Sequence, residues 1–214
     1  MNFSDKALTL ILKEENAKLF NGEPQAAHWP GNKNSGVTIG FGYDLGYAST
    51  KQFSAYWKDN LNQLFFNILL DAIGKKGAEA ARFIPRAASW KITKEVAIEV
   101  FITKILPQYI TVTRKVYPQL DALPLDTQGA LVSLVYNRGG SVLGSSRKEM
   151  KNIQFLVQQF STADINKSLV LQQIANEFIN MNETMKEAWK SVPGLFVRRA
   201  REAELILTDS RVLE

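Results

Sequence analysis

The sequence predicts an α+β protein, mostly helical, with one small β element near its N-terminus. Three observations predict it. Apolar residues recur at helical spacing along most of the chain. One stretch, residues 21–49, departs from that pattern and holds six glycines and two prolines. Within it, Gly36-Val37-Thr38-Ile39-Gly40-Phe41-Gly42-Tyr43 alternates as a short hairpin or sheet does.

The first helix is expected to be capped by Ser4, with Leu8, Ile11, Leu12, Glu15 and Leu19 on one face. The glycine-rich excursion follows. Gln52–Ile73 reads as one aromatic-rich amphipathic helix, broken by Gly74-Lys75-Lys76-Gly77. A helix is expected to start near Thr93 and to run until about Leu106, where Pro107 follows. Asp126 is the expected cap of a helix over Thr127–Tyr136 that ends at Gly139-Gly140. Further helices are expected over Lys148–Phe160, Asn166–Asn182 and Phe196–Leu207. No internal repeat or low-complexity tract is present. The expected organisation is one domain over residues 1–214. A small β lobe covers about 16–50 and a larger helical bundle lobe about 51–214.

Composition narrows the chemistry. A chain of 214 residues with 45% hydrophobic residues has material for a substantial core. The absence of cysteine removes disulfides, thiolate catalysis and cysteine-type zinc sites. A single histidine, His28, excludes a multi-histidine metal site, so no metal and no cofactor are expected. Peptidase and amidase chemistries that need zinc or a thiol are disfavoured on the same ground. A serine triad would depend on His28 alone, and no Gly-x-Ser-x-Gly elbow is present. The net charge of +5 favours a polyanionic partner such as nucleic acid, anionic lipid or the bacterial wall. Because the basic residues are scattered, no nucleic-acid partner is expected. The longest apolar stretches, Leu61–Leu70 and Leu131–Tyr136, are short or interrupted, so no stable membrane insertion is expected. The N-terminus reads as the start of an amphipathic helix rather than a signal peptide. A monomer is the default.

Glu15 and Glu14 form an acidic pair, and Glu15 is the one on the apolar face. A carboxyl group edging an apolar face is desolvated and held protonated, as a general acid requires. Thr38 and Asp44 stand six apart, an even spacing that turns both side chains to one side of a short strand. Two carboxyl groups and a hydroxyl around a cleft would suit glycoside hydrolysis, in which one acid protonates the leaving oxygen and the other carboxylate orients water or stabilises the transition state. The alternative is a structural hairpin in which Asp44 holds a turn. Trp29 is a candidate for stacking on a sugar or for anchoring its loop, and His28 a candidate for lining the cleft. Tyr43 would face the cleft or pack in the hairpin. Asn137 would reach substrate or cap its helix, and Arg138 would meet an anionic group or be solvated. Arg198 and Arg199 are expected to be structural, paired with acids such as Glu202 one turn later.

Glu15 followed by Ser35-Gly36-Val37-Thr38-Ile39-Gly40-Phe41-Gly42-Tyr43-Asp44 resembles the phage-lysozyme (endolysin) superfamily. So do Ile92-Thr93-Lys94-Glu95, the run Asp126–Gly140 with its closing Tyr-Asn-Arg-Gly, and the run Gly194–Glu204, in the same order. The resemblance implies a lysozyme-like fold and a muramidase that cleaves the bond between N-acetylmuramic acid and N-acetylglucosamine in bacterial peptidoglycan. The chain departs from the common phage pattern, because the interval between Glu15 and Thr38 contains no aspartate and its one acid is Glu23. The order Glu15, Thr38, Asp44 is similar to that of lysozyme-like bacteriocins of the pesticin type. That likeness implies Glu15 as acid, Thr38 positioning the attacking water and Asp44 as second carboxylate, with Glu23 the alternative. It also implies action on the cell wall after delivery by holin, uptake or a secretion system, with an immunity protein as a possible partner. A rival expectation is a non-catalytic lysozyme-fold module that binds the wall or acts as a toxin.

Overall fold

The computed structural model describes residues 3–162 and 164–213. It is mostly helical, and its strands are confined to two short two-stranded sheets. By its contacts the chain divides into two compact units. One is Leu12–Pro107; the other comprises the residues up to Ile11 and those from Gln108 onward. The helices between residues 50 and 100 therefore group with the strands.

The first helix, α1, spans Asp5–Phe20. Ser4 caps it as expected, its Oγ accepting the Ala7 N–H at 3.2 Å. Met1 and Asn2 lie outside the described residues.

In the unit Leu12–Pro107, β1 (Gln25–Ala26) pairs antiparallel with β4 (Lys91–Ile92), and β2 (Thr38–Ile39) with β3 (Tyr43–Asp44). The β2–β3 hairpin is the expected one; β4 was not expected, because a two-residue strand with a distant partner leaves no local pattern. The expected helix Gln52–Ile73 is two helices, α2 (Thr50–Trp57) and α3 (Gln63–Leu70). Ser49 caps the first and Asn62 the second, each side-chain oxygen accepting a first-turn N–H. A further helix, α4 (Ala78–Ala87), follows Gly77 and contains Pro85. Phe53 stacks on Phe66 at 5.1 Å between centroids, and Phe41 meets Phe101 edge-on at 6.1 Å. With Trp57 and Phe65, these fully or nearly fully buried rings form the core of the unit.

Thr93 starts α5 (Lys94–Val100) as expected, its side chain accepting from the Val96 N–H. Pro107 does not stop the helix. A π-helical turn at Phe101–Ile105 leads directly into α6 (Leu106–Val116). The Leu106 N–H reaches back to Phe101 O across that turn. The wider turn interrupts the ordinary ladder just before Pro107, where proline's missing N–H and its ring are tolerated. The whole run Lys94–Val116 is long and apolar enough to cross a membrane by length and composition. A reading of uninterrupted apolar stretches passes over it, because its polar residues are spread along the helix. Val100, Phe101, Ile105 and Ile110 on this run are at most 4% exposed, whereas Ile102 is exposed.

In the other unit, α7 (Leu125–Arg138), α8 (Lys148–Phe160), α9 (Lys167–Thr184) and α10 (Gly194–Val212) pack as a bundle, α9 between α8 and α10, and α10 also on α7. Leu131, Leu134, Ile153, Ile174, Phe178 and Ile206 are fully buried there. Each such side chain contributes about 1.5–3 kcal/mol through burial. Asp126 is not the cap of α7: it lies in the first turn and accepts from Ser4 Oγ and Lys6 Nζ. The capping carboxylate comes from α10 instead. Asp209 Oδ2 accepts from both Thr127 N and Thr127 Oγ1 at 2.7 Å. Arg198 and Arg199 are buried and share Glu202, with N–O separations of 3.2 and 2.9 Å, as expected for structural arginines.

Candidate functional site

Asn16 has non-helical backbone angles (φ −159°, ψ 87°), so the helical path of α1 breaks immediately after Glu15. Asn16 makes the break with its own side chain. Its Oδ1 accepts the Leu19 N–H at 3.0 Å, capping the last turn of α1, while its Nδ2 donates to Gly40 O at 3.3 Å. The end of the helical segment that carries Glu15 is thereby tied to the tip of the hairpin that carries Thr38. Gly40 has φ +57°, and a Cβ there would stand 3.0 Å from Trp57 Cη2. Glycine gives the backbone both its left-handed turn and its seat on the indole.

Across the hairpin, Thr38 and Asp44 are direct Cα partners, and Ile39 faces Tyr43. Directly opposed residues of an antiparallel pair project to the same face. Thr38 is buried and Asp44 half-buried. The Asp44 carboxylate grips its own loop. Oδ1 accepts from Gly46 N at 2.8 Å and from Gly36 N at 3.0 Å, and Oδ2 shares the Gly36 N–H at 3.2 Å. Gly36 and Gly46 approach so closely that a Cβ on Gly36 would lie 2.3 Å from Gly46 N. A carboxylate offers about four acceptor sites, so Oδ2 retains room for a further donor.

Glu14 and Glu15 are both half-buried, so burial does not separate them as the sequence pattern did. Glu23 is exposed in the turn after α1, where its backbone carbonyl accepts from Gln25 Nε2. His28 exchanges two backbone hydrogen bonds with Thr38, at 2.7 and 3.0 Å, and so extends the hairpin by one bridge. The residue is exposed, yet partial desolvation of its ring holds its pKa below the usual histidine value. Trp29 donates its Nε1–H to Asn32 O and Ser35 O, both at 3.2 Å, which is the loop-anchoring role. Tyr43 is 8% exposed among Phe53, Tyr56 and Trp57, with ring centroids 5.8–6.5 Å away, so packing accounts for it.

The other two candidate residues belong to the other unit and are described there. Asn137 is exposed at the end of α7 and accepts from Arg199 Nη2 at 3.3 Å. Arg138 is half-buried, lies over the Trp189 ring at 5.1 Å and donates to Ser146 O, so it is not a solvated surface arginine. Desolvation first, then the neighbouring charges of Arg147 and Arg199, lower its pKa to about 10.

Asn16, Gly46 and the Asp44–Gly36 clasp were not singled out from the sequence as parts of this site. An asparagine following a helical glutamate is a legible N-cap signal for a new turn, but its bond to Gly40 depends on the folded hairpin.

No curated protein matches the sequence. A family model matches residues 13–119, an interval that contains Glu15, His28, Trp29, Thr38, Tyr43 and Asp44. By that match over half of its length, the chain belongs to the family described as Domain of unknown function (DUF8812).

Proposed function

We propose that the chain is a lysozyme-like glycoside hydrolase that cleaves bacterial peptidoglycan between N-acetylmuramic acid and N-acetylglucosamine. Glu15 is the acid that protonates the leaving oxygen. Thr38 positions the attacking water, and Asp44 is the second carboxylate, its Oδ2 turned to that water. The single observation that carries the reading is the Asn16–Gly40 bond, which fastens the helix break after Glu15 to the hairpin on which Thr38 opposes Asp44. The sequence order Glu15, Thr38, Asp44 supports it through the family resemblance.

The test is the release of reducing ends from purified peptidoglycan by wild type and by Glu15→Gln. Loss of a general acid lowers the rate by about 10²–10⁴-fold, and that is the expected result. An undiminished Glu15→Gln rate refutes the assignment. A second reading, a wall-binding module without catalysis, is favoured by the backbone N–H groups that already occupy the Asp44 carboxylate. It predicts that wild type sediments with peptidoglycan and releases no reducing ends.

A further inference from the structure

We propose that Tyr117, Arg138 and Arg147 build a binding site for a small oxyanion, a carboxylate or phosphate group, in the bundle unit. The inference is independent of the hydrolase reading. Tyr117, just after α6, is fully buried, and its hydroxyl has no hydrogen-bond partner among the described residues. Arg138 Nη1, at the end of α7, is buried and without a partner in the same sense. Arg147, immediately before α8, is half-buried, and its Nη1 meets the Met150 sulfur at 3.5 Å. Among the described residues, neither Arg138 nor Arg147 has a carboxylate within salt-bridge distance. Arg138 rests on Trp189 and bonds the Ser146 carbonyl beside Arg147, Arg147 rests on Met150, and Trp189, Met150 and Tyr117 belong to one buried cluster. The three groups are thereby gathered from three segments of the chain, within electrostatic reach of one another.

The charge balance of the cluster is incomplete. Arg199, its other cation, shares Glu202 with Arg198. Glu149, buried in the first turn of α8, acts on Arg138 and accepts from Thr184 Oγ1 through Oε1, while its Oε2 has no hydrogen-bond partner among the described residues. One carboxylate against Arg138 and Arg147 leaves one positive charge, which a monoanion would neutralise. Burying like charges together costs free energy unless an anion bonds them. The donors fit that role: a phenol O–H and guanidinium N–H groups make charge-assisted hydrogen bonds to an oxyanion. The Trp189 ring beneath Arg138 and the Ser146 carbonyl on its Nη2 fix the guanidinium plane, so its orientation is set before a ligand arrives. Gly139, Gly140 and residues 144–146, which flank Arg138 and Arg147 in the chain, are exposed.

The test is thermal melting of the whole chain in sodium acetate or sodium phosphate, against sodium chloride at equal ionic strength. For wild type, a saturable rise in melting temperature is expected in acetate, phosphate or both, about 3–6 °C at tenfold excess over the dissociation constant. Which salt acts identifies the group. General stabilisation by phosphate grows without saturation, and the variants separate it from binding. Tyr117→Phe removes one hydroxyl and keeps the ring, so it folds, and it melts at or above wild type in chloride. Its saturable response is expected to weaken, and that of Arg138→Gln to disappear. If wild type shows no saturable response, the cluster holds water and the proposal fails. If both variants respond as wild type does, the ion binds elsewhere and the proposal fails equally.

Discussion

Replacing Asn16 by alanine removes two interactions at once. The first is the cap on the Leu19 N–H, for which such losses cost about 1 kcal/mol. The second is the 3.3 Å bond to Gly40 O, a half-buried side chain to backbone contact whose net contribution is about 0.5–1.5 kcal/mol. Alanine partly offsets this, since it favours a continuous helix over asparagine by up to about 0.7 kcal/mol. The losses exceed that gain, so the expected cost is roughly 1–2 kcal/mol. For a chain of this length each kcal/mol moves the melting temperature by about 2–4 °C, so Asn16→Ala should melt about 2–8 °C below wild type. Asn16→Ser retains a hydroxyl that can cap Leu19 but is too short to reach Gly40, and should recover about half of the loss. The assay is melting followed by far-UV circular dichroism. An alanine variant within about 1 °C of wild type, or a serine variant no better than alanine, refutes the two-bond account. If the hydrolase reading holds, Asn16→Ser also lowers kcat more than it raises KM, because it loosens the placement of Glu15 and leaves the binding surface intact.

Two further predictions follow from buried charge. Glu202→Ala leaves Arg198 and Arg199 buried without their shared carboxylate. Breaking such a pair costs about 3–5 kcal/mol, so the variant should melt at least about 6 °C lower; a smaller drop contradicts the network. Burial holds the folded pKa of His28 below the ordinary histidine value of about 6.5, so the unfolded chain binds the proton first as pH falls. Its contribution to stability is present above pH 6.5 and is lost as pH falls through the folded value. Proton NMR of the one histidine should give a midpoint below 6.5, and His28→Gln should flatten the acid side of the stability profile.

Helices with strong caps and unbroken periodicity were legible in the sequence. Lys148–Phe160 has the expected limits, the expected cap Ser4 holds its first turn, and a helix starts at Thr93 as expected. The misses have physical causes. Asn62 splits the expected Gln52–Ile73 helix by capping a second one. The π turn before Pro107 depends on backbone hydrogen bonds that residue type does not reveal. Asp126 resembled a cap, but Asp209 reaches the same helix end from α10, a contact invisible to local pattern. At the site, even spacing predicts one short strand carrying both Thr38 and Asp44; they stand instead on β2 and β3 and share a face as opposed partners across the hairpin. Spacing could not reveal that Tyr43 is absorbed by an aromatic cluster, that Trp29 is committed to loop carbonyls, or that Asn16 joins helix to hairpin.

The clasp at Asp44 constrains how this sequence can change. A methyl group on Gly36 collides with Gly46 N and the Asp44 carboxylate, and one on Gly46 collides with Gly36 Cα. Loss of the carboxylate leaves two loop amides without their acceptor. At position 44 only asparagine, whose Oδ1 can accept the same two N–H groups, keeps the clasp. Gly36, Asp44 and Gly46 are therefore coupled, each limiting what the others can become. A loop fixed in this way holds its shape by its own contacts, whatever chemistry takes place beside it.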